Sequence, residues 1–199
     1  MLLMLDSSKA HFAVAEEESA CAIGQLLTPL TRYSDQGLVY GIDNGAFSGF
    51  QPKSFMSLLE RQSAAKDRCR FVVAPDVVGS ARRTAEVFDL WYPRLHGWPI
   101  ALAIQDGIED VAIPWQLIEA VFIGGSTNFK IGAGAKAVVD AAKTLGKWTH
   151  MGRVNTRDRY DLACAWGIDS IDGTGLSRYS HMREALGEAR LFDRSEVVQ

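Results

Sequence analysis

Short runs of apolar and β-branched residues alternate along this chain with longer stretches in which apolar residues recur at helical spacing. Six runs read clearly as strands: 38–42 (LVYGI), 71–75 (FVVAP), 99–104 (PIALAI), 120–124 (AVFIG), 147–152 (KWTHMG) and 169–173 (DSIDG). Each is nearly continuous in hydrophobicity, as expected of parallel strands buried on both faces. Two weaker runs, 1–5 and 20–24, bring the count to eight. Between them the spacing predicts a helix over 53–66, where Phe55, Leu58, Leu59 and Gln62 fall on one face. Further helices are predicted over 81–92 with Ser80 as N-cap, at 114–119 opened by Pro114, and over 134–145 ended by Gly146. A helix over 157–166, capped by Asn155 or Thr156 and ended by Gly167, and a last one over 179–189 complete the pattern.

Strict alternation of β and α elements implies parallel strands joined by right-handed crossovers. Six or seven units would suit a doubly wound sheet. Eight favour an α/β fold of the (βα)8 TIM-like barrel class. Such barrels typically need roughly 250 residues, so one built from 199 is expected to be short or slightly incomplete. No linker, low-complexity tract or repeat divides the chain, and 1–199 is read as a single domain.

In parallel α/β proteins the functional site lies at the carboxyl ends of the strands. Those ends carry Asp43-Asn44-Gly45, Asp76, Gln105-Asp106-Gly107, Gly124-Gly125-Ser126, Arg153-Val154-Asn155 and Asp172-Gly173-Thr174-Gly175. One polar strand end means little, because loops are polar anyway. Six in succession, several with glycine, predict a small-molecule pocket with many hydrogen-bonding groups. Asp43, Asp76 and Asp172 would share it and push each other's pKa apart. A metal held by Asp43, Asp76, His150 and Asp172 is the rival reading, but no His-x-His, His-Glu-x-x-His or clustered-Cys spacing supports it. There is no Gly-x-Ser-x-Gly elbow, Walker loop or dinucleotide fingerprint.

Composition narrows the partners. Net charge is −3 and the sequence pI about 5.8, so bulk electrostatics does not favour nucleic acid. The local exception is a run of arginines at 153, 157, 159, 178, 183 and 190, which is equally a pair of solvated helix faces. Three scattered cysteines offer neither a disulfide framework nor a Cys-x-x-Cys knuckle. MLLML is too short for a signal-peptide core, and no run approaches a membrane span. A cytoplasmic protein without membrane contact is expected.

Taken in order, the strand-end motifs resemble those of the tRNA-guanine transglycosylases. GIDSIDGTGLSR (167–178) is similar to the family segment that runs Gly-Ile-Asp, two residues, Asp, then Pro-Thr-Arg. The resemblance makes Asp172 the covalent nucleophile and places the closing arginine at Arg178. DNGAF (43–47) resembles Asp-Ser-Gly-Gly-Phe and implies a general acid/base at Asp43. LAIQDG (102–107) and FIGG (122–125) imply that Gln105 and the Gly124–Gly125 backbone border the purine, and FVVAPD (71–76) implies a base-reading Asp76. HMGRV (150–154) looks like the His-Leu-x-Gly-Val run before the nucleophile strand.

The departures also inform. The zinc site that follows the barrel in the tRNA enzymes has no counterpart in these residues, and Leu-Ser stands before the Arg in place of Pro-Thr. Compact, phage-type relatives without that module place 7-deazaguanine derivatives into DNA. The resemblance therefore implies guanine exchange for a 7-deazapurine base, with DNA favoured over tRNA and no cofactor. Arg153, Arg178 and Lys130 are expected at flanking phosphates. A hydrolase on the same barrel and a non-catalytic purine-binding module are the alternative classes, and whether the protein forms a homodimer stays open. At single positions, Asp172 and Asp43 also read as turn residues, Asp76 as a helix cap and Gln105 as a backbone-bonding residue. His150 reads as a core or supporting residue, and the five tryptophans as packing.

Overall fold

The computed structural model describes residues 1–7, 9–32 and 34–195. All eight expected strands are present: β1 (Leu2–Leu5), β2 (Ala22–Leu27), β3 (Tyr40–Ile42), β4 (Cys69–Val73), β5 (Ile100–Ile104), β6 (Ala120–Ile123), β7 (Trp148–Met151) and β8 (Ser170–Asp172). They pair in parallel, each with its sequence neighbour, and β8 closes on β1 through Met4 beside Asp172. The barrel is complete.

Among the described residues the helices are α1 (Lys9–Ser19), α2 (Pro52–Arg61), α3 (Ala81–Trp91), α4 (Thr127–Lys130), α5 (Ala133–Thr144), α6 (Arg157–Ala165), α7 (Thr174–Arg178) and α8 (Ser180–Ser195). Ser80 and Thr156 cap α3 and α6 through their hydroxyls, accepting from the amides of Arg83 and Arg159. Some boundaries differ from the expected ones. The helix predicted over 53–66 stops at Arg61 and continues as a 3-10 stretch, Ser63–Arg68, because Ala65 is not helical. The segment after Pro114 makes only a 3-10 turn, Trp115–Leu117. The pattern over 9–19 had not read as a helix. Its buried face is narrow, Phe12, Ala15 and Ser19, and Val14 faces solvent.

The interior of the barrel combines bulky and minimal side chains. Met4, Leu26, Phe71, Val73, Ala101, Ala103 and Ala120 fill the inside, with Phe122 and Trp148 packed against them. Their neighbours along each strand, such as Leu3, Val72, Leu102, Val121 and Ile171, face the helices in the larger outer core. Gly41 lies under the Phe71 ring, where a Cβ would come 2.3 Å from it. Phe71, Phe122 and His150 pack together, with His150 ring centroids 4.7 and 4.8 Å from the two phenyl rings. This aromatic layer is the floor on which the strand-end residues stand.

Candidate active site

Above that floor opens a cavity of about 470 Å³, counted to its solvent-exposed mouth. Its wall contains Asp43, Asp76, Gln105, Gly124, Gly125, Arg153 and Asp172, which is seven of the eight residues expected there. Asn44, Phe47, Phe122 and Lys130 line it as well. Arg178 does not: it is exposed at the end of α7. The chain leaves β8 into the short helix α7, and Arg178 is the last residue of that helix.

Asp172 ends β8 and is held from two sides. Its Oδ1 accepts the Arg153 amide (2.9 Å) and its Oδ2 lies 3.0 Å from His150 Nε2. Neither partner belongs to its own loop, so the turn-residue reading does not describe it. The Arg153 amide can reach because that residue takes φ 59°, a left-handed conformation that costs a non-glycine residue of order 1 kcal/mol. The guanidinium donates to the Gly125 carbonyl (2.9 Å) and lies 4.4 Å from the exposed Phe47 ring centre.

Asp43 follows β3. One oxygen accepts the Gly45 amide at 2.9 Å, so the expected turn exists, and the residue also lines the cavity. Burial pushes its carboxyl up to about 6; Asp172 and Asp76 add to the rise, and the Gly45 amide and Arg153 oppose it.

Asp76 is clamped by two amide side chains. Asn44 Nδ2 donates to Oδ1 (2.8 Å) and Gln105 Nε2 to Oδ2. Burial pushes the Asp76 carboxyl up and these two donors pull against it. The helix-cap role expected as an alternative belongs to Ser80. Gln105 takes the backbone-bonding role, its Oε1 accepting the Gly79 amide (2.9 Å), while its Nε2 donates to Asp76 at the cavity wall. Gly125 needs to be glycine: φ is 74°, and a Cβ would lie 2.6 Å from Asp106 Oδ2.

Lys130 is the chief correction. It had been expected at a phosphate, yet it is 2% exposed, with Nζ donating to the Gly152 carbonyl (2.9 Å). Burial pulls its ammonium down to about 8; Arg153 and Arg159 pull the same way and Asp172 opposes them. The available signal was position, since Lys130 closes the loop after β6 and every such loop faces the site. The arginine patch also shrinks. Arg183 is buried against Glu18 and the Leu176 carbonyl, and Arg157 is paired with Asp161. The Arg190 side chain lies outside the described residues. Arg159 stays near the mouth, bonded to the Arg153 carbonyl and Thr127.

Among the described residues no three His, Cys, Asp or Glu side chains are grouped to hold a metal ion. Nor is any helix there long and apolar enough to cross a membrane.

No family model matches the chain, and no curated protein matches it in sequence. Solved structures do match. Phosphoribosyl anthranilate isomerase from Thermus thermophilus superposes with a TM-score of 0.50 at 14% identity, covering 97% of this chain and 98% of that one. The fold is a TIM barrel. A designed cube-shaped protein cage matches with a TM-score of 0.42 at 13% identity over 98% of this chain and 76% of that one. The Bacillus subtilis YkuI protein, with an EAL domain, does so with a TM-score of 0.37 at 14% identity over 96% and 49%. At such identities the likeness is one of fold, and the functional reading rests on the site.

Proposed function

We propose that the protein is an enzyme, a base-exchanging glycosyltransferase that replaces guanine in a nucleic acid, DNA in preference to tRNA, by a 7-deazaguanine derivative. The observation that carries this reading is the gathering of seven motif residues, in the order the transglycosylase resemblance requires, around one cavity. Asp172 carboxylate attacks C1′ of the target nucleotide. The C1′–N9 bond breaks, its electron pair leaves on N9, and Asp43 in its acid form supplies the proton. The incoming base then returns a proton to Asp43 and attacks C1′, releasing Asp172. One glycosidic bond is exchanged for another, so no cofactor enters the balance.

A carboxyl group raised to about 6 suits a residue that both gives and takes a proton near neutral pH. Asp76 has one donor on each oxygen and keeps further acceptor capacity for the N–H groups of a guanine edge. A purine lacking those groups would leave that acceptor unpaired, which gives selectivity. Phe47 and Arg153 form a flat wall at the mouth, suited to a ring entering from an unstacked nucleotide. Arg153 and Arg159 are then the cations nearest the flanking sugar–phosphate, with Arg178 further out.

The test is incorporation of labelled guanine into duplex DNA and into unmodified tRNA. Label entering DNA, and absent with Asp172→Ala, is the expected result. Absence of label in both polymers overturns the reading, and release of free guanine with no base supplied would assign a hydrolase instead.

A further inference from the structure

Beneath Asp172, inside the barrel and away from the cavity wall, runs an unbroken line of polar side chains in an otherwise apolar core. His150 is fully buried against Phe71 and Phe122. Its Nε2 lies 3.0 Å from Asp172 Oδ2 and its Nδ1 lies 2.8 Å from Ser170 Oγ. Ser170 is itself fully buried, and its Oγ accepts the Trp148 indole N–H at 2.9 Å. The order Trp148, Ser170, His150, Asp172 links two adjacent strands, β7 and β8.

Donor chemistry gives the line a direction. An indole N–H can only donate, so Ser170 Oγ must accept from Trp148. The serine hydroxyl hydrogen then needs an acceptor, and His150 Nδ1 is the atom within reach. With Nδ1 accepting, the neutral imidazole carries its proton on Nε2 and donates to Asp172 Oδ2. Every polar atom in the line is thereby satisfied, as a buried network requires. The opposite tautomer would leave the serine hydrogen without an acceptor and set the lone pair of Nε2 against a carboxylate.

We propose that His150 is the positioning residue of Asp172: a neutral imidazole, fixed as the Nε2–H tautomer by Ser170 and Trp148, that orients the carboxylate for attack. It touches Asp172 and not the substrate. Phe122 stacks on the imidazole and Phe71 packs tilted against it, while the Arg153 amide holds the other carboxylate oxygen, so His150 and Asp172 are both held in place. The proposal rests on the base-exchange reading for its kinetic consequence, whereas the tautomer is a property of the free protein.

The experiment therefore has two arms. Nitrogen-15 NMR of the unliganded protein should find His150 protonated on Nε2 alone, with that pattern lost in Ser170→Ala; a proton on Nδ1 overturns the proposal. In the base-exchange assay, His150→Leu should lower kcat about 100-fold with KM little changed, the scale of losing one preorganised donor. His150→Gln, which keeps an N–H near the Nε2 position, should recover roughly tenfold of that loss. Ser170→Ala, remote from the cavity, should lower kcat about tenfold at constant KM. If the folded His150 variants keep wild-type kcat, or lose only thermal stability, the positioning role is wrong. A wild-type protein that exchanges no base overturns the parent reading and the kinetic role with it, and the NMR arm separates that failure from an absent relay.

Discussion

Asp43 concentrates the electrostatic cost of the site in one carboxyl group. Its folded pKa, about 6, lies above the ordinary 3.8, so the folded state holds its proton more tightly than the unfolded chain. The associated stability is fully present below about pH 4 and is lost as pH rises through about 6. Asp43→Asn keeps an acceptor for the Gly45 amide and removes the charge. It should therefore stabilise the protein at pH 7.5 by up to about 3 kcal/mol, with the gain vanishing below pH 4. Denaturant titrations of both proteins across that range check the sign. Under the proposed reaction the same variant loses turnover, and the wild-type rate depends on a group titrating near pH 6. Lys130 sits on the other side of the same balance, as a buried cation within the field of Asp172. Its position in the wall was readable from the β6 loop, but its burial was not, because a lysine stem spans enough length to reach either solvent or core.

At the level of single elements, the inner faces of β3 and β4 form one packing unit. The Phe71 ring occupies the space above Gly41 that any other residue would need, and Phe122 and His150 close its other sides. Gly41→Ala should therefore destabilise the barrel by roughly 2–3 kcal/mol, the scale of overpacking a core that cannot shift. Trimming the ring should offset part of that: Gly41→Ala with Phe71→Leu is expected to be more stable than Gly41→Ala alone. A thermal-unfolding double-mutant cycle measures the coupling; additive effects would mean the two sites do not share a cavity. The sequence made these strands visible as hydrophobic runs, but not which face of each pointed inward. A parallel strand buried on both sides has no polar face to mark the difference.

For the molecule as a whole, the closing contact is between its first and last helices. Helix α8 packs on α1, and Arg183, 2% exposed, donates to Glu18 Oε2 at 2.6 Å and to the Leu176 carbonyl. Gly187 lies so close that a Cβ would come 2.4 Å from the Glu18 carbonyl oxygen. Arg183→Ala leaves the half-buried Glu18 without its partner, a loss of about 1–3 kcal/mol. A chain of this length should then melt roughly 5 °C lower. Arg183→Met with Glu18→Gln, which removes both charges, should recover much of it. Calorimetry on the three proteins decides whether the pair is structural, in which case no arginine at 183 is available to a nucleic-acid surface.

The sequence by itself determined the eight strands, their parallel order and the set of residues at their carboxyl ends. Those features follow from local rules: unbroken apolar runs between capped helical patterns leave few alternatives, and strand ends of a parallel sheet share one rim. It did not disclose α1, whose apolar residues are too sparse to mark a face until α8 covers it. It also could not say that Arg178 stays out of the cavity wall, that Arg183 and Lys130 are buried, or that His150 stands under Asp172 with its hydrogen-bond partners in line. Those outcomes depend on register and closure. Pairing β7 with β8 sets His150 beside Ser170, and pairing β8 with β1 bends the sheet until the ends of all eight strands face one axis. Only the closed barrel brings residues more than a hundred positions apart in sequence, such as Asp43 and Asp172, into one electrostatic site.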